Sequence, residues 1–129
     1  MGRSVGEWQA EITQWGASKG WDKPALCELR GEIVEGAHVG PQGVNVEAVG
    51  MKLALVHSEV SEALEALRDG KLALWLDGEK PEGMSTELAD TVIRILHLGG
   101  LLGLDIEHAM EVKMAYNQGR PYRHGGRLA

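Results

Sequence analysis

The chain has little that would staple it together or carry it across a membrane. Its 129 residues hold a single cysteine, Cys27, which excludes an internal disulfide framework and fits a reducing, cytoplasmic compartment. Long apolar runs are missing as well. The longest covers residues 95–104 and is broken by His97 and by Gly99, Gly100 and Gly103, too short and too interrupted to span a bilayer. No apolar run follows Met1-Gly2-Arg3-Ser4, so no signal peptide is expected. Positive charge is scarce. The 13 Lys and Arg against 19 Asp and Glu give a net charge of -6, which argues against a general nucleic-acid binder, because phosphate contacts need a positive surface. A small anionic ligand stays compatible with that charge if metal ions or a local basic cluster neutralise it. A GxxxxGK[ST] phosphate loop is absent, and one Cys with five scattered His gives no zinc spacing. Ser58 and Ser61 lie beside carboxylates but lack the His/Asp partners of a nucleophilic triad.

What is present is the composition of a folded protein, 43% apolar and 25% charged, in a length that suits one domain over residues 1–129. Val5, Trp8, Ile12 and Trp15 are spaced three and four apart and predict a helix over residues 5–19, stopped by Gly20 and followed by a turn at Trp21-Asp22-Lys23-Pro24. Its tryptophans either pack in the core or stack on a flat ligand. Leu26, Leu29, Ile33 and Val34 hint at a short helix, and Gly36, Gly40, Pro41 and Gly43 at a loop. Asn45 is placed to cap a second long helix that ends at Asp69-Gly70. Its stripe is Val49, Leu53, Val56, Val60, Leu64 and Leu67, widened by Leu55, Ala63 and Ala66. Residues 71–84 read as an extension or short helical turn around Trp75, then an exposed loop. A third helix is expected from a Ser85 cap to about residue 102, and a fourth over residues 106–117 from an Asp105 cap. The third is apolar almost all round, which suggests subunit association as well as an internal core.

Two carboxylate pairs stand out. Glu59 and Glu62 lie three apart on the second helix, and Glu87 and Asp90 three apart on the third. Residues three apart share a helix face. At 100° per residue, Glu59 falls inside the apolar arc and Glu62 at its edge, and an ionised carboxylate there is costly unless something pairs with it. Glu65 lies further round, as an outer ligand or a surface glutamate. Glu87, Asp90, Arg94 and His97 form a narrow polar stripe, which could also be a simple solvated face. Four carboxylates pointed into one space would repel one another unless a hard divalent cation sat between them. Lys113 and Asn117 share a face of the last helix. The arm over residues 119–129 carries Arg120, Arg123, His124 and Arg127, either as a solubilising tail or as a group that meets phosphate.

Glu59-x-x-Glu62 followed by Glu87-x-x-Asp90 resembles the signature of the MazG-like, all-α nucleoside triphosphate pyrophosphohydrolases. The flanking text is similar too: Leu55-Val56-His57-Ser58 ahead of the first pair, Thr91-Val92-Ile93-Arg94 behind the second, and the ending Lys113-Met114-Ala115-Tyr116-Asn117 with Arg120-Pro121-Tyr122-Arg123. The resemblance covers residues 45–127 and the Trp-bearing first helix, and leaves residues 27–43 unmatched. It implies an all-α bundle of about four to five helices that assembles into a homodimer or homotetramer. It also implies Mg²⁺, or Mn²⁺ in its place, held by Glu59, Glu62, Glu87 and Asp90, with Glu59 or Glu62 as the base that orients water. The implied reaction splits a (deoxy)nucleoside triphosphate between the α- and β-phosphates. Lys113, Asn117, Arg120 and Arg123 are then the phosphate-side candidates, and Ile12, Trp15 and Trp21 the base-side ones. The substrate lean is towards dGTP/GTP or a noncanonical nucleotide. The alternatives are dUTP, dCTP or phosphoribosyl-ATP, or a helical assembly module with no catalysis.

Overall fold

The computed structural model describes residues 2–20 and 44–121. Among these it has four helices and one small hairpin: α1 (Val5–Ser18), α2 (Val46–Arg68), β1 (Trp75–Asp77), β2 (Lys80–Glu82), α3 (Met84–Leu101) and α4 (Ile106–Gln118). The predominance of helix agrees with the all-α expectation. The expected turn at 21–24, the short helix and loop after it, and the basic arm beyond residue 121 lie outside the described residues, as do Trp21 and Arg123.

Three helix starts follow from local chemistry. Ser4 Oγ accepts from the Glu7 amide while Glu7 Oε1 accepts from the Ser4 amide, a reciprocal capping box. Asn45 Oδ1 accepts from the Ala48 amide at 3.0 Å, and Asp105 Oδ1 from the His108 amide at 3.0 Å. The fourth start differs from expectation. The cap of α3 is Gly83, not Ser85, and no side chain caps it. The Met84 and Ser85 amides instead donate to the Lys71 and Leu72 carbonyls at 2.7 and 3.0 Å, so the first turn is satisfied by the chain leaving α2. Gly83 adopts φ 108°, and a Cβ there would run into the Ala73 carbonyl.

The segment expected to be an extension and loop is an antiparallel hairpin, with Trp75 opposite Glu82 and Asp77 opposite Lys80. Asp77-Gly78 was the signal: Gly78 takes φ 64°, the positive value that a two-residue hairpin turn requires at its first position.

Helix α3 lies between α1 and α2, packing against both. The approach of α1 is close because glycines line it. A Cβ on Gly16 would stand 2.7 Å from His97 Cδ2, and one on Gly99 2.7 Å from Gln9 Nε2. Buried Gln9 then joins three elements: its Nε2 donates to the Leu96 and Leu104 carbonyls at 3.3 and 2.9 Å, and its Oε1 accepts from the Ile106 amide at 3.4 Å. Among the described residues the fully buried apolar side chains are Ile12, Ala63, Leu96, Leu98 and Leu101. The stripe read along α2 divides in two. Ala63 is buried and Val49 and Val56 half-buried, whereas Leu53, Val60, Leu64 and Leu67 are exposed. No helix among the described residues is long and apolar enough to cross a membrane.

Candidate metal centre

The packing of α2 on α3 brings acids from distant parts of the sequence together. One carboxylate oxygen each from Glu59, Glu87 and Asp90 lie within 4.8 Å of one another, and all three residues are half-buried. The local reason is helical phase. Glu59 belongs to the inward arc of α2, with a side chain 14% exposed, while Glu87 and Asp90 stand one turn apart on the side of α3 that meets it.

Arg94, one further turn along α3, donates from Nε to Glu59 Oε1 at 2.7 Å. Glu59 thus enters the trio already sharing one oxygen with a guanidinium. The electrostatics of the other two acids record crowding by like charge. Burial pushes the Glu87 carboxyl above its ordinary range, and Asp90, Glu59, Glu62 and Glu82 push it further in the same direction. Burial also raises Asp90, as does Glu59, while Arg94 pulls it back. This is the field of a site that stabilises added positive charge.

The fourth expected ligand stands apart. Glu62 is exposed and outside the trio, though near enough to raise Glu87. Three residues advance a helix by about 300°, so Glu62 is turned about 60° from Glu59 towards solvent. Glu65 is further round and pairs with Arg68 at 3.3 Å on the surface. The polar stripe of α3 also divides: Glu87, Asp90 and Arg94 meet α2, whereas His97 is buried against Gly16 of α1.

Of the base-side candidates, Ile12 is buried and Trp15 exposed. They line a cleft of about 390 Å³ with Arg3, Trp8, Glu11 and Ile93, and none of the four acids lines it. The Arg3 guanidinium covers the Trp8 ring at 4.6 Å. The phosphate-side candidates Lys113, Asn117 and Arg120 are exposed on and just after α4, where the Lys113 and Arg120 cations lie 5.0 and 5.9 Å from the Tyr116 ring. Asn117 is placed against Met114 Sδ. Helix α4 is tied to α1 at its first turn, where the Gly6 amide donates to Glu107 Oε1 at 3.1 Å.

The hairpin supplies what the sequence reading missed. Glu82, paired with Lys80 at 2.9 Å, adds to the field on Glu87, and Glu82 holds the Lys80 ammonium above its usual range, with smaller contributions from Asp77 and Glu87. The Asp77-Gly78 turn was the available cue, since it folds 80–82 back towards the start of α3.

No protein-family model matches the chain, and neither a curated protein nor a solved structure matches it.

Proposed function

We propose that the chain is a Mg²⁺-dependent nucleoside triphosphate pyrophosphohydrolase that cleaves between the α- and β-phosphates, working as a homodimer or homotetramer. The observation that carries this reading is the convergence of Glu59, Glu87 and Asp90 oxygens within 4.8 Å. The donor set suits a hard cation: all oxygens, all carboxylate, half-buried, and already crowded by negative charge. Those three residues would hold Mg²⁺ or Mn²⁺. A divalent cation there supplies charge neutralisation for the triphosphate and acidifies water.

The remaining roles fall to the chain itself. Glu62 lies one turn from Glu59, outside the trio and open to solvent, so it is the better placed of the two to accept the proton of the attacking water. Arg94 orients Glu59 through its 2.7 Å contact. Lys113, Asn117, Arg120 and Arg123 are assigned to the phosphates by sequence position, and Ile12, Trp15 and Trp21 to the base. The lean is towards dGTP/GTP or a noncanonical nucleotide, ahead of dUTP, dCTP and phosphoribosyl-ATP.

One observation favours a second reading. The Arg94–Glu59 ion pair satisfies part of the cluster without any cation, as a helical assembly module with no catalysis would require. Incubating the protein with Mg²⁺ and a panel of nucleotides, with product analysis, separates the two. Release of pyrophosphate is expected from the wild type and not from Glu59→Ala or Asp90→Ala. Turnover at wild-type rate in both variants would remove the proposed site.

A further inference from the structure

We propose that Lys80, on the hairpin, is a phosphate-binding residue of the acid site and holds the pyrophosphate end of a nucleotide bound there through divalent cations. The inference rests on the reading of that site given above and adds the direction in which the polyphosphate lies. Lys80 and Glu82 are two apart on β2 and so share a face of the strand. Asp77 stands directly across from Lys80, yet the ammonium sits 2.9 Å from Glu82, on the side that leads into α3. The two ends of that pair are unlike: the Glu82 side chain is 25% exposed and that of Lys80 75%. An ion pair between two loose surface side chains contributes little, but here the carboxylate end is fixed. The Glu82 carbonyl accepts from Thr86 Oγ1 at 3.1 Å, and the Met84 and Ser85 amides donate to the Lys71 and Leu72 carbonyls. The hairpin is thereby docked on the first turn of α3, and the charge of Lys80 reaches Glu87.

Position along α3 selects the end of the nucleotide. Ile93 lines the cleft that also holds Ile12 and Trp15, the base-side candidates. Asp90 and Glu87 follow towards the start of the helix, and the hairpin lies beyond them. From Ile93 to Glu87 the helix rises about 9 Å. A nucleotide with its base at the cleft and its α-phosphate at the cations therefore runs its β- and γ-phosphates towards Lys80. Charge calls for a cation at that end. Glu59, Glu62, Glu82 and Asp90 all act on Glu87, and Arg94 is bonded to Glu59. A departing pyrophosphate adds negative charge to this field, which opposes it unless a positive group meets it. An ammonium carries three protons, and the contact with Glu82 uses one of them. The same contact aims the group without burying it, so its remaining protons stay open to a phosphate oxygen.

Calorimetric titration of the full chain with inorganic pyrophosphate in saturating Mg²⁺ tests the assignment without knowledge of the base. The wild type should bind, and Lys80→Gln should weaken binding about tenfold or more, the loss of one charge-assisted hydrogen bond. The rise in Tm on adding Mn²⁺ alone should be the same in both proteins, because Lys80 meets the phosphate and not the metal. Lys71→Gln removes an equal charge from the same segment, where the Lys71 ammonium lies 5.1 Å from the Trp75 ring, and should leave pyrophosphate affinity as it was. Three results overturn the proposal: a wild type that does not bind pyrophosphate, a Lys80→Gln chain of unchanged affinity, and an equal loss in Lys71→Gln. A Mn²⁺ response that falls in Lys80→Gln overturns it too, since the lysine would then act on the acids. Nucleotide turnover judges the hydrolase reading separately. A chain that binds pyrophosphate through Lys80 but hydrolyses no nucleotide upholds the phosphate site and removes the proposed reaction.

Discussion

Glu87→Gln should move two stabilities in opposite directions. Its carboxylate has an oxygen within 4.8 Å of oxygens from Glu59 and Asp90. Like charges at that separation repel by about 0.9 kcal/mol at the dielectric constant of water and by about 3.5 kcal/mol at an effective value near 20. Part of each acid still faces solvent and Arg94 offsets part of the field, so the lower figure is taken as a floor. Relief of two such pairs returns roughly 2 kcal/mol. Loss of an acid from the first turn of α3 costs roughly 0.3–1 kcal/mol through the helix dipole. The net gain, about 1 kcal/mol, corresponds to a Tm roughly 3–6 °C higher for a chain of this size. Cation binding works the other way. A ligand of the native state present at about 100 times its Kd adds about 2.7 kcal/mol, which is on the order of 10 °C for the wild type. The amide removes one anionic donor, so the variant should lose most of that increase. Thermal melts followed by circular dichroism, in chelator and then in Mg²⁺ or Mn²⁺, measure both quantities. A metal-free variant that melts below the wild type, or an equal cation response in both proteins, would refute the argument that these acids repel one another around a cation site.

The pH dependence follows from the same groups. Glu87 and Asp90 are raised in the folded state, so their charged forms oppose folding above the folded pKa, and that penalty fades as pH falls through it. The stability advantage of Glu87→Gln over the metal-free wild type should therefore be largest at neutral pH and shrink on acidification, as read from paired denaturant titrations. Gln9→Leu should cost roughly 2 kcal/mol or more in urea unfolding, since it leaves the Leu104 carbonyl and the Ile106 amide without their partner. Gly16→Val should destabilise by roughly 1–3 kcal/mol, because its Cβ is driven into the His97 ring. The test is a double-mutant cycle with His97→Ala: strict additivity of the two changes would contradict the close approach of α1 and α3.

Much of the secondary structure could be read from the residues alone, because its causes are local. Ser4, Asn45 and Asp105 cap helices through amides three residues away, and Gly20, Gly70 and Gly103 supply positive φ where helices stop. The carboxylate pairs were legible for the same reason, since a three-residue spacing sets a common face whatever lies opposite. The local rules failed where distant backbone competed with them. The cap of α3 passed from Ser85 to Gly83 because the Lys71 and Leu72 carbonyls took its amides. The hairpin followed from a turn whose partner strand had no apolar alternation to announce it.

Residue order by itself determined which side chains share a helix face, and therefore that Glu59 leans inward and that Glu87 stands with Asp90. Only the tertiary structure decided which faces meet. It set Glu59 against Glu87, Asp90 and Arg94 and turned Glu62 outward. It sent His97 to Gly16 of α1 instead of to the acids, and left Leu53, Val60, Leu64 and Leu67 of α2 exposed. The physical reason is that periodicity fixes angles around one helix axis, whereas the angle and depth at which two axes cross depend on side-chain volumes from distant segments, here the glycines between α1 and α3.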